Sequence, residues 1–201
     1  MTETASEEKN KIIVDAAAKR FAYYGFAKVT MDEIAADVGM GKASLYYYFP
    51  TKENLFKAVI EREQEVFIAS IRALTEKNIP ASHKLKEYVK LRLEYFRELV
   101  NIGSLTLKQS SEGKAIFSSL FNSFMEKEKK IIETILSEGK KQNEFAPGVV
   151  SQTAELFLHI LHGIRLRTIH EVSHRLDEAQ FQHLQKEMEL FVSIFTKGIQ
   201  K

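Results

Sequence analysis

The chain has 201 residues, of which 44% are hydrophobic and 28% charged, with a net charge of +2 and no cysteine. That composition suits a folded globular chain of one large or two small domains, and it excludes disulfides, thiolate zinc sites and cysteine nucleophiles together. No run approaches the roughly 18 apolar residues of a membrane span, and the opening MTETASEEKNK has neither the basic flank nor the apolar stretch of a signal peptide, so a cytoplasmic protein with no membrane partner is expected.

Three prolines and nine glycines fall mostly between segments with apolar residues at three- and four-residue spacing, the pattern of an all-α protein of about nine helices. The first helix is predicted over 7–24, with Ile13, Ala16, Ala17 and Phe21 on one stripe and Gly25 as its left-handed stop. Thr30 with Glu33 three residues later reads as a capping box, which starts a short helix carrying Ile34, Ala35 and Val38 as far as Gly39. A second short helix follows over 42–48 and ends at Pro50. Thr51 then caps a long helix over 52–77. Beyond Pro80 the segments 82–102, 104–111, 114–141, 150–173 and 177–199 read as helices, the last capped by Asp177.

Two helices of seven or eight residues, joined at Gly39 and braced by a longer one, are the ingredients of a helix-turn-helix. At about 100° per residue, Leu45 and Phe49 share the inner face of the second short helix. Ala43 and Tyr47 face directly away, Tyr46 and Ser44 flank them, and Tyr48 lies near the core edge. Tyrosines placed in solvent imply a partner: a phenol packs its flat body on sugar or a thymine methyl and donates to a phosphate. Lys42 adds a cation where the free N–H groups of the helix start already favour an anion, and the methyl of Ala43 permits close approach to a base edge. The alternative is that the tyrosines pack against another subunit. It accounts less well for the joint occurrence of the capped helix, the Gly39 turn and the helix start at Thr51–Lys52.

The stretch VTMDEIAADVGMGKASLYYYFPTKENLF resembles the DNA-binding domain of the tetracycline-repressor (TetR-like) family of transcription regulators. The match spans residues 9 to 60 and combines the Thr30 cap, Ile34–Ala35, Gly39, Leu45–Tyr46, Phe49 and Thr51–Lys52–Glu53. Residues 61 to 201 match only in helical architecture. The resemblance implies an N-terminal three-helix DNA-binding domain over 1–51 and a larger helical ligand-sensing and dimerisation domain over 52–201. It also implies DNA contacts from Thr30, Lys42, Ala43, Ser44, Tyr46, Tyr47, Tyr48 and Lys52. Many members carry glycine where Ala43 stands and histidine where Tyr48 stands. By chemistry Thr30, Tyr46, Tyr48 and Lys52 suit phosphates, and Lys42, Ala43, Ser44 and Tyr47 suit base edges. Residues 1–60 hold eight basic and eight acidic side chains, but 39–57 hold Lys42, Lys52 and Lys57 against Glu53 alone, so a locally basic face replaces bulk charge.

A helix-turn-helix of this size reads paired half-sites as a symmetric dimer. The expected homodimer surface comes from the last two helices, through Phe157, Ile160, Leu161, Gly163 and Ile164 on one and Leu184, Met188, Phe191 and Phe195 on the other. Intramolecular core is the competing use of these stripes, and Gly163 inside a helix argues for close approach of another backbone. The phenylalanines Phe96, Phe117, Phe121 and Phe124 read first as core. By the family resemblance they line a cavity for an apolar or aromatic small-molecule inducer, with Arg92 and His159 as polar ends. His159, His162, His170 and His174 form no recognisable ligand set, and together with Arg165, Arg167 and Arg175 they read as solvated surface. No metal site or cofactor is expected, and no nucleophile elbow, phosphate loop or HExxH occurs, so the chain is not expected to be an enzyme. The reading is therefore a ligand-responsive, DNA-binding transcriptional regulator, most simply a repressor of a palindromic double-stranded operator that an inducer releases. The alternative class is a helical ligand- or partner-binding protein whose head does not act on DNA.

Overall fold

A computed structural model describes residues 5–101, 111–146, 148–171 and 177–201, with side chains for all of these except 98–101, 111–117 and 168–171. Its eight helices are α1 (Ala5–Tyr24), α2 (Met31–Asp37), α3 (Lys42–Tyr48), α4 (Lys52–Thr75), α5 (Ala81–Asn101), α6 (Ser111–Lys141), α7 (Val150–Glu171) and α8 (Glu178–Ile199). Among the described residues there is no strand, only an isolated bridge between Phe145 and Gln200. The all-α expectation holds. The short helix expected over 104–111 falls, save its last residue, outside the described residues.

Local chemistry sets the boundaries. Gly25, at φ +78°, ends α1 while its N–H donates to Phe21 O at 2.9 Å. The capping box of α2 is complete: Glu33 N donates to Thr30 Oγ1 at 3.3 Å and Thr30 N donates to Glu33 Oε2 at 2.8 Å. Such caps are worth about 1 kcal/mol. Gly39 adopts φ +63°, a left-handed turn that L side chains enter only at a cost, and it releases α2 after two turns. Thr51 Oγ1 accepts from Asn54 N at 3.1 Å and opens α4. Asp177 and Gln180 form a second capping box at the start of α8.

The chain divides into two compact units, Met1–Glu65 with Glu98–Phe121, and Val66–Arg97 with Asn122–Lys201. The first has a core of Ile13, Ala17, Phe21, Ile34, Leu45 and Phe56, all within a few per cent of full burial. Phe26 enters it as an aromatic wedge, its ring centroid 4.9 Å from Phe56, which in turn lies 5.1 Å from Phe21. Edge-to-face pairs of this kind add a little to their burial. A fork from Arg20 to Asp37, supported by Glu33, ties α1 to the end of α2.

The second unit packs Phe67, Ile71 and Leu74 of α4, Leu85, Tyr88 and Leu93 of α5, Phe124 and Ile132 of α6, and Phe157 and Leu161 of α7 with Leu184 and Met188 of α8. Two buried polar groups sit among them. Lys84 donates to Thr75 O at 3.0 Å and to both carboxylate oxygens of Glu138. The second group joins Tyr88, Arg92 and Glu128.

Candidate nucleic-acid interface

α3 is seven residues long, too short to hold itself in water, and Leu45 is its one buried residue. Leu45 is fully buried and Phe49, at the C-cap, nearly so. With that edge pinned, the helix turns the rest outward. Tyr47 is 85% exposed and Tyr46 38% exposed, Ala43 and Ser44 are open to solvent, and Tyr48 is partly buried against the core with its ring edge-on to Tyr47 at 5.6 Å. The helical-wheel expectation for each of these side chains matches the observed exposure.

Lys42, at the first position of α3, donates to Asp32 of α2 at 3.0 Å, and its ammonium sits 5.9 Å from the Tyr46 ring centroid. Hydrogen bonding to Asp32 raises its pKa above the ordinary lysine value. Both groups are exposed, so the pair is weak and open to exchange: a phosphate could take the place of the carboxylate. Asp32→Asn is expected to tighten binding to any duplex by up to about fivefold, an exposed ion pair contributing about 0–1 kcal/mol. The check is a fluorescence-anisotropy titration at two salt concentrations; unchanged or weaker duplex binding would show that Asp32 does not compete for the lysine.

Two residues assigned to phosphates in the sequence are otherwise engaged. Thr30 uses its hydroxyl in the capping box, donating to Glu33 Oε2 at 2.8 Å, and these bonds hold the Glu33 carboxyl below the ordinary range. The Lys52 ammonium donates to Phe26 O at 3.0 Å and Val29 O at 2.9 Å and lies 4.4 Å over the Phe26 ring. It ties the start of α4 to the loop between α1 and α2. An open groove of about 810 Å³ runs beside α3, lined by Met40, Ala43, Ser44 and Tyr47 together with Lys9 and Ile12 of α1. Lys9 and Ile12 were not anticipated. Their three-residue spacing puts them on one face of α1, but which helix that face meets is a tertiary fact.

The residues expected at a dimer surface separate by burial. Phe157, Leu161, Leu184 and Met188 lie within the second unit's own core. Ile164, Phe191 and Phe195 are half-buried, the last two ringed around Phe157 at 5.5 and 4.8 Å. Ile160 and Gly163 remain open, alongside Leu156 on α7, and Leu190, Ile194 and Gly198 form a matching outward row on α8. Among the described residues nothing lies within 4 Å of a Cβ built at Gly163 or Gly198.

Of the expected ligand-lining residues, Arg92, Phe96 and Phe124 are buried and Phe121 is half-buried, while the side chain of Phe117 lies outside the described residues. His159 is not with Arg92. It is exposed, beside Glu126, Lys129 and Glu155 on a small surface depression. Arg165, expected at the surface, instead has its Nε sealed from solvent. Its guanidinium lies 5.3 Å from the Phe96 ring centroid. Burial, reinforced by the charge of Arg92, pushes its pKa down to about 10. Burial likewise raises the Glu128 carboxyl, against the opposing pull of Arg92 and Tyr88. The side chains of His170 and His174 also lie outside the described residues, and among the described residues no group of three His or carboxylate side chains is placed to hold a metal.

Comparison with known proteins places this geometry in context. Residues 13–59 match the family model described as bacterial regulatory proteins, tetR family. A transcriptional regulator from Cytophaga hutchinsonii ATCC 33406 is 42% identical, with a TM-score of 0.89 over 96% of this chain and 99% of its own. The HTH-type transcriptional regulator RutR of Escherichia coli (strain K12) is 36% identical over 94 residues, 47% of this chain and 44% of its own, so the chain matches under half the length of this curated relative. The uncharacterized HTH-type transcriptional regulator YhgD of Bacillus subtilis (strain 168) is 28% identical over 77% of this chain and 81% of its own length.

Proposed function

This chain belongs to the tetR family of bacterial regulatory proteins, and from that premise we propose that it is a transcription regulator that grips a palindromic operator through α3 as a homodimer. The observation that carries this reading is the outward face of α3, where the most exposed aromatic side chain of the chain's described large hydrophobics, Tyr47, stands beside Tyr46, Ser44, Ala43 and Lys42. A phenol held in water at such exposure has no role in the isolated fold and suits a groove wall. Residues 1–51 carry the DNA-facing groups, and 52–201 serve sensing and dimerisation. The outward row of Leu156, Ile160 and Gly163 with Leu190, Ile194 and Gly198 supplies the dimer surface, the two glycines letting a partner backbone approach. No helix among the described residues is long and apolar enough to cross a membrane, and the site of action is the operator in the cytoplasm.

Regulation is by repression: the dimer covers an operator overlapping a promoter. A small molecule that binds better to a state of lower operator affinity releases it by population shift. The test is to select bound fragments from the source genome and titrate the recovered duplex. Affinity should fall steeply with salt, as phosphate contacts release counterions. Tyr47→Ala should weaken binding about tenfold, the equivalent of one good contact of about 1–3 kcal/mol, with the dimer intact by analytical ultracentrifugation. Salt-insensitive or absent duplex binding would instead favour a helical ligand-binding protein whose head does not act on DNA.

A further inference from the structure

The second unit holds a charge arrangement that its described side chains do not complete. Arg92 Nη1 donates to Glu128 Oε1 at 2.5 Å, and the Tyr88 hydroxyl donates to the same oxygen at 2.6 Å. The other ends of this pair, Arg92 Nη2 and Glu128 Oε2, are sealed from solvent without a hydrogen-bond partner. Arg165 of α7 brings a second guanidinium. Its Nη2 meets His162 Nδ1 at 2.8 Å, and its Nε is likewise sealed without a partner. Two cations thus stand against one carboxylate in a place walled by rings. Arg92 lies 5.9 Å from the Phe124 centroid and Arg165 lies 5.3 Å from that of Phe96. Tyr95 stacks on Phe67 at 4.6 Å and lies 5.5 Å from Phe124.

Buried polar groups are normally paired, and a lone buried charge is normally balanced. Among the described residues one positive charge, two guanidinium N–H donors and one carboxylate oxygen remain over. A water can take a donor but leaves the charge uncompensated. A dianion such as phosphate would bring one negative charge too many beside Glu128, in surroundings too apolar to screen it. A planar carboxylate has one charge and acceptor lone pairs on two oxygens, the geometry that guanidinium groups match best. The rings around the guanidiniums suit an apolar remainder.

We propose that Arg92 and Arg165 hold the carboxylate of a monoanionic organic acid with an apolar body, and that this acid is the small molecule to which the regulator responds. The proposal rests on the reading of the second unit as a ligand sensor, and it narrows the expected apolar or aromatic inducer to one that carries a carboxylate. Glu128 fixes Arg92 in place and excludes ligands of higher negative charge.

The test uses the full chain without DNA and four probes: 1-naphthoate and decanoate, with 1-naphthalenemethanol and decanol as uncharged counterparts. At least one acid should raise the melting temperature and, by calorimetry, bind ten or more times tighter than its alcohol; which acid does so tells an aromatic from an aliphatic body. Arg165→Met puts a thioether of similar reach where the guanidinium lies over Phe96 and removes a part-buried, incompletely paired cation, so it should melt no lower than the native chain while losing the preference for the acid. Arg165→Gln serves as the second variant should the first fail to fold. Alcohols that bind as tightly as the acids, absence of binding by both acids, or an acid preference that survives both substitutions would overturn the proposal. In a second titration, of the operator duplex with and without the acid, an acid that binds with the stated preference but leaves operator affinity unchanged supports the site and removes the ligand-responsive reading, so the two fail separately.

Discussion

Replacing Glu128 by alanine is expected to destabilise the chain by about 3–5 kcal/mol, the cost of breaking a buried ion pair by removing one partner. Glu128 is fully buried and accepts from both Arg92 and the equally buried Tyr88. Without it, Arg92 is a buried cation beside a second guanidinium, and the Tyr88 hydroxyl loses its acceptor. Urea unfolding followed by circular dichroism measures the loss. The double replacement Arg92→Met with Glu128→Leu separates charge from packing: it should recover the share of the loss owed to the unpaired Arg92 cation, because two apolar side chains of similar volume incur no desolvation penalty, while the Tyr88 hydroxyl still lacks its acceptor. If the single and double variants unfold at the same denaturant concentration, the loss is one of shape and not of charge.

The second large effect is at Leu45. Leu45→Ala should cost about 2–5 kcal/mol, the range for a buried leucine whose site cannot collapse, and should abolish detectable operator binding. The reason lies in the length of α3. Seven residues gain little from their own hydrogen bonds, so the orientation of Tyr46 and Tyr47 is enforced mainly by the contact of Leu45 and Phe49 with Phe56 and the rest of the first core. Tyr47→Ala provides the contrast, with lower operator affinity at unchanged stability. A Leu45→Ala variant that melts like the native chain would show that α3 is held by something other than this anchor.

These two sites differ in how far they could be read before folding. The head was legible because its signals are local. Thr30 and Glu33 announce a helix start, Gly39 a left-handed turn and Pro50–Thr51 a stop and a start, and one turn of arithmetic places Leu45 in and Tyr47 out. The role of Lys52 was not legible. Its partners, Phe26 O and Val29 O, lie more than twenty residues away in the chain, and no spacing rule reports them. Arg165 was misread for a related reason. Its neighbours His162 and Arg167 suggest a wet face, but the residues that enclose it, Phe96 and Arg92, come from α5. The stripes on α7 and α8 were recognisable as apolar, yet which side faces the core depends on how the helices rotate against their neighbours. That rotation buries Leu161 and leaves Ile160 open.

The bond between Lys42 and Asp32 gives the head an internal decoy. Any duplex that draws the lysine away must outbid a carboxylate tethered a few ångströms off, and on a mismatched sequence the lysine can return to it at once. If α3 enters the groove as proposed, such a tethered rival weakens the lysine's hold on every duplex, and on the operator the other contacts would hold the helix while the exchange takes place. On that reading the same acid would weaken binding overall and keep the lysine ready to change partners.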